Sequence, residues 1–159
     1  MNGGTRSNTE PQGAGCNKNE VKGNEIFHRT LHLCKLLYEH GSFFTMENPL
    51  TSYAWRMPLY LETKKSCSIT EVVLDQCSYG LSIPDTDGEL GLAKKATIFC
   101  GNLPGLESLG RRCLKNHKHV QVIGGVKWKG KWVRRSTLAG SYPYRLCSAY
   151  HKVCERLFR

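Results

Sequence analysis

Phe43-Phe44-Thr45-Met46-Glu47-Asn48-Pro49 is the stretch on which the reading of the fold turns. Phe43 to Met46 form an apolar run with strand character. Glu47-Asn48-Pro49 then place a carboxylate on a turn stiffened by proline. A buried strand whose carboxyl end presents a charged group is where open α/β folds place their chemistry. Two further runs follow. One spans 69–74, contains Val72-Val73-Leu74 and leads into Asp75-Gln76-Cys77-Ser78-Tyr79-Gly80; the other, Thr97-Ile98-Phe99-Cys100, follows Lys94-Lys95. Helices alternating with these runs predict an α/β fold with a mostly parallel sheet and flanking helices.

The flanking segments fit that frame. Phe27, Leu31, Cys34 and Tyr38 recur at helical spacing between Asn24, a candidate N-cap, and His40, with Gly41 in the left-handed position beyond. A helical stretch near Thr51–Leu61 is expected to be interrupted by Pro58. Pro84 to Gly91 reads as an acidic loop, and 101–135 as the least regular part. Leu146, Tyr150, Val153 and Leu157 make one stripe of a final helix from Pro143 to Phe158, with Cys147, Cys154 and Phe158 beside it. Residues 1–22 are polar, glycine-rich and aperiodic and are expected to be disordered, leaving one domain over 23–159.

The charge is divided unevenly. Of a net +10 over 159 residues, the segment from Arg111 on carries thirteen Lys/Arg against the single acid Glu155, a local +12, so the first 110 residues sum to −2. Such a basic segment is the footprint of a polyanion partner, nucleic acid foremost, or of a solvated face with none. The first ten residues hold no apolar core of a signal peptide and no run is long enough to span a membrane, so the eight cysteines are expected to be reduced in a nuclear or cytoplasmic protein, with Cys34, Cys147 and Cys154 as small buried hydrophobes.

Taken in order, the Glu47-Asn48-Pro49 turn, the Tyr79-Gly80 element and the Lys94-Lys95-Ala96-Thr97 strand entry resemble the second half of the cytosine-C5 DNA methyltransferase domain, in the subfamily with ENP in place of ENV. The resemblance covers roughly Gly23 to Phe158. It implies part of a Rossmann-like class I methyltransferase sheet, S-adenosylmethionine as the family's cofactor and DNA as partner. It casts Glu47 as the catalytic carboxyl that supports N3 of a flipped-out cytosine, with Asn48, Pro49, Tyr79 and Gly80 holding the site. Lys94 and Lys95 stand where the family's DNA contacts lie, as point charges rather than arginine forks. The Pro-Cys nucleophile and the glycine-rich cofactor turn are absent, which implies a fragment inactive alone, completed by an N-terminal half or by self-association.

Two constellations stand apart from that resemblance. Cys100, Cys113, His117 and His119 offer four ligands suited to a tetrahedral zinc ion, against the plainer reading of a core cysteine and polar loop histidines. Trp128 and Trp132 alternate with Lys127, Lys129, Lys131, Arg134 and Arg135. That is either a surface that follows phosphates and stacks bases or a hairpin turning on Gly130 with tryptophan inward and lysine outward. The alternative to a methyltransferase fragment is therefore a small, basic, zinc-stapled nucleic-acid-binding module.

Overall fold

The computed structural model describes residues 4–157. In chain order it contains α1 (Lys18–Glu39), β1 (Thr45–Pro49), α2 (Pro58–Ser66), β2 (Thr70–Asp75), β3 (Ser82–Pro84), β4 (Leu90–Leu92), β5 (Ala96–Gly101), β6 (Gly125–Trp128), β7 (Lys131–Arg134), α3 (Arg135–Leu138) and α4 (Tyr144–Glu155), with 3-10 turns at Tyr53–Arg56, Gln76–Tyr79 and Leu106–Leu109. The chain divides into two compact units. One runs through Glu71 and takes in Cys100–Leu103; the other comprises Val72–Phe99 and the chain from Pro104 on.

The three expected strands share one sheet, in the order β1-β5-β2. The mostly parallel, helix-covered Rossmann-like half-sheet is nevertheless not what forms. A parallel crossover needs a dozen or more residues, usually a helix. Between β2 and β5 the chain instead makes a 3-10 turn and the antiparallel hairpin β3–β4, whose register pairs Ser82 with Leu92 and Pro84 with Leu90. A second antiparallel hairpin, β6–β7, pairs Gly125 with Arg134 and Trp128 with Lys131. Asp85 explains the first turn: its Oδ1 accepts from the Asp87 and Glu89 N–H groups at 2.9 and 3.0 Å, closing the loop locally.

In the first unit, α1 begins seven residues earlier than the candidate cap Asn24 implies. Asn17, not Asn24, is the cap, its side chain accepting from the Asn19 and Glu20 N–H groups. The polar segment before it is also placed, because Glu20 accepts from Thr5 N–H (2.8 Å), Thr5 Oγ1 (2.6 Å) and Arg6 N–H (3.3 Å), and these bonds hold its carboxyl below the usual range. Pro58 opens α2 instead of interrupting a helix, since a first-turn proline has no N–H to lose. Leu31, Cys34, Met57, Tyr60, Cys67 and Cys100 are buried here, with Tyr60 tilted against Trp55 at 5.2 Å and Phe27 at 6.2 Å.

In the second unit Leu74, Tyr79, Ile98, Phe99, Leu106, Leu109, Leu146 and Val153 are buried. Under the β3–β4 hairpin, Leu81, Ile83, Ala93 and Ala139 form a small cluster joined by Val120 and Val122. Pro143 caps α4 rather than opening it, and Cys147, expected inside, is exposed. Phe158, the last member of the expected stripe, lies outside the described residues.

Gly101 fixes how closely β1 approaches β5. A Cβ there would stand 2.0 Å from the Phe44 carbonyl oxygen and 3.0 Å from Thr45 Cα, all backbone that cannot swing aside. Gly101→Ala is therefore expected to cost about 2–4 kcal/mol, read as a lower urea midpoint, whereas Gly88→Asn at the solvent-facing, positive-φ hairpin turn should be nearly neutral.

Candidate metal centre

Four side chains of the second unit converge: Cys77, Cys113, His117 and His119, with their ligand atoms all within 4.8 Å of one another. Cys113 Sγ lies 3.7 Å from His117 Nε2 and 3.3 Å from His119 Nε2, and the two Nε2 atoms are 3.1 Å apart. A tetrahedral ion with metal–sulfur bonds of about 2.3 Å and metal–nitrogen bonds of about 2.0 Å has edges of about 3.3–3.8 Å between its ligands. The observed spacings approximate those edges. This Cys/His cluster can hold a metal ion.

The local chain explains how the ligands meet. Cys77 sits in the 3-10 turn after β2, which ends on Gly80 in the left-handed conformation. Cys113, His117 and His119 lie in the irregular segment beyond Leu109. That segment is tied to β2 by Asp75, whose N–H donates to Arg111 O at 2.8 Å and whose Oδ2 accepts from Cys113 N–H at 2.9 Å and Arg112 Nε at 3.0 Å. Tyr79 adds a second tie through its hydroxyl, which donates to Leu109 O at 2.8 Å, while the Arg111 guanidinium stands 4.9 Å over its ring.

Polar groups also surround the cluster. Lys115 takes φ +59°, which turns its N–H onto Cys113 Sγ at 3.3 Å. His117 Nδ1 is 3.0 Å from Asn116 Oδ1, so an Nδ1–H donated there leaves Nε2 free to ligate. Asp75 is 2 % exposed, and its Oδ1 has no hydrogen-bond partner in the protein although it lies beside the cluster. Burial, with His117 and Lys94 nearby, pulls His119 below the ordinary histidine range and so favours the neutral imidazole. Burial and the Cys113 sulfur push the Cys77 thiol up to about 11. Ionising it in place needs a cation, and metal binding must release its proton.

Three of the four expected ligands are thus brought together, and the fourth is corrected. Cys100 is fully buried in β5, in the other unit, where burial pushes its thiol up to about 11 and Tyr60 is its neighbour. Tyr60 in turn donates to Glu71 Oε1 at 2.6 Å, and Glu71 pairs with Lys64. Cys77 takes the place assigned to Cys100. In the sequence Asp75–Gly80 resembles a methyltransferase element and so does not mark Cys77 as a ligand, yet a cysteine on a turn is freer to ligate than one midway along a buried strand.

The other expected site residues fall as follows. Glu47, Asn48 and Pro49 lie within β1 rather than on a turn after it, and Pro49 O accepts from the Trp55 indole N–H at 2.9 Å. Lys94 is exposed, whereas Lys95 donates to Ala139 O at 3.3 Å and faces the Tyr142 ring. Lys127, Lys129, Lys131 and Arg134 are exposed. Arg135 is not: 8 % exposed, it donates from Nε to Pro84 O and from Nη1 to Ile123 O, both at 3.2 Å. Among the described residues no helix is long and apolar enough to cross a membrane.

Comparisons with protein-family models, curated proteins and solved structures found no match. The methyltransferase resemblance accordingly rests on its motifs alone.

Cys77→Ser and Cys113→Ser should each abolish stoichiometric metal binding, measured by elemental analysis of the purified chain. Cys100→Ser should leave metal content intact and lower stability by about 1–2 kcal/mol, as a buried polar substitution does. Asp75→Asn, which removes the carboxylate behind the cluster, should weaken metal affinity roughly 10- to 100-fold in a chelator competition.

Proposed function

We propose that this chain is a zinc-stapled, basic module that binds nucleic acid. The observation that carries the reading is the segment Arg111-Arg112-Cys113-Leu114-Lys115-Asn116-His117-Lys118-His119, which holds three of the four ligands and four exposed cations. A loop without regular hydrogen bonding loses much conformational freedom on ordering, about 1–2 kcal/mol per residue for the backbone. A metal joining Cys77 to the loop offsets that cost and holds Lys115 and Lys118 in a fixed array. Zinc suits two thiolates and two imidazoles, needs no redox chemistry and closes its shell with four protein ligands, so the role assigned is structural.

The charge distribution supports a polyanionic partner, with thirteen of the 23 basic residues beyond Gly110. Phosphate contacts by lysine and arginine release counterions and carry little sequence information. The methyltransferase reading is not preferred, because the mostly parallel sheet it implies is not formed and its Tyr-Gly element supplies Cys77 to the metal.

The test joins metal and nucleic acid. The purified chain should carry about one zinc per molecule in a sulfur–nitrogen shell by X-ray absorption. Removal by a chelator should unfold the 111–119 loop, seen as amide exchange there, and reduce DNA affinity in parallel. With about four phosphates neutralised, affinity should fall roughly 100-fold between 50 and 200 mM salt. A zinc-free chain with the same affinity and a flat salt response would overturn the reading. Metal affinity should also rise with pH across the neutral range, because the two thiols lose their protons on binding.

A further inference from the structure

The β6–β7 hairpin presents a second feature that the metal centre does not use. Its two-residue turn, Lys129-Gly130, has φ +49° and +78°, the positive pair that matches the twist of paired strands. Residues opposite each other in an antiparallel pair share a face. Val126 and Val133 therefore lie on one side, Val126 buried, while Gly125, Arg134, Lys127 and Trp132 lie on the other. The expected inward tryptophans are thus divided: Trp128 is half-buried on the valine side, and Trp132 is 78 % exposed among cations.

Gly125 lets the indole lie flat on this face. A Cβ at Gly125 would come within 2.8 Å of Trp132 Nε1. Beside the ring opens a cavity of about 580 Å³ whose lining includes Val122, Ile123, Trp132, Arg134 and Ser136. Ile123 is 75 % exposed. The volume is in the range of small-molecule sites. An exposed indole, an aliphatic wall and an adjacent guanidinium make a site for a planar ring that carries an anion. A large indole left in water on a hairpin otherwise faced by charge is costly unless something covers it.

We propose that this face is a nucleotide-stacking subsite, in which an unpaired base covers Trp132 and enters the cavity while Arg134 and Lys127 receive the neighbouring phosphates. The proposal rests on the nucleic-acid reading above and narrows it to single strands. Bases in a duplex already have both faces covered, whereas an unpaired base gains by stacking on an aromatic ring. Arg135, adjacent in sequence, takes no part; its bonds to Pro84 and Ile123 carbonyls instead brace the cavity wall.

The test uses the full chain with zinc, and mixed-sequence DNA and RNA strands of about 12 nucleotides beside a duplex of equal length. Single strands should bind more tightly than the duplex at equal salt and quench tryptophan fluorescence. Trp132→Ala should weaken single-strand binding roughly 5- to 100-fold and leave the duplex unchanged, while Trp132→Phe should recover most of the loss. Lys127→Gln with Lys131→Gln should weaken single strand and duplex alike. The deoxy and ribo arms report which sugar is accepted. If the wild type binds nucleic acid and Trp132→Ala leaves single-strand affinity unchanged, the subsite is overturned and the basic-surface reading stands. No binding of any strand at about 50 mM salt overturns both.

Discussion

The Asp75 carboxylate is the point from which the second unit is organised. It lies at the end of β2, nearly inaccessible to water, and its backbone and side chain hold Arg111, Arg112 and Cys113 together. A buried carboxylate survives only with donors around it, and charge-assisted bonds of this kind contribute about 1.5–3 kcal/mol each. Holding Cys113 by its own N–H brings the loop's first member of the cluster beside Cys77, two residues after Asp75. The remaining members follow from short-range geometry: four residues on is His117, six on is His119, and the left-handed Lys115 bends the chain between Cys113 and His117.

The cysteines divide by the backbone that carries them. Cys34, Cys67 and Cys100 are closed into the interior of the first unit and act as small apolar side chains, their neighbourhood completed by Tyr60. Cys77 and Cys113 sit on a turn and an irregular loop, where a thiol can rotate toward a common point. Burial weighs on Cys77 and Cys100 alike and raises both thiols. What separates them is the presence of histidine nitrogens around the former and of a tyrosine hydroxyl near the latter.

The basic residues divide in the same way. Lys95 and Arg135 bind carbonyl oxygens of their own unit, so their charges hold the fold. Lys127 and Arg134 are displayed on a hairpin whose other face is anchored by Val126. Each sign of the period-2 alternation therefore has its consequence: the valines fasten the hairpin and the opposite face is left to water and to partners.

The sequence by itself determined the local elements. Strands 69–74 and 97–100, the helical stripe of Leu146 and Val153, and the ligand trio Cys113, His117 and His119 were all legible, because each depends on spacing within a few residues. The basic segment beyond Gly110 was legible because charge is additive along the chain. Only the tertiary structure decided that the acidic loop from Pro84 to Gly91 is the turn of an antiparallel hairpin closed by Asp85, that Asn17 rather than Asn24 caps α1, and that Cys77 rather than Cys100 completes the cluster. Each of these depends on which of two similar groups another part of the chain engages: the Asp85 carboxylate with its own loop's N–H groups, Asn17 with the first N–H groups of α1, Asp75 with Cys113. Such choices are settled by hydrogen bonds and packing, some between residues dozens of positions apart, and neither periodicity nor composition encodes which of the candidates they select.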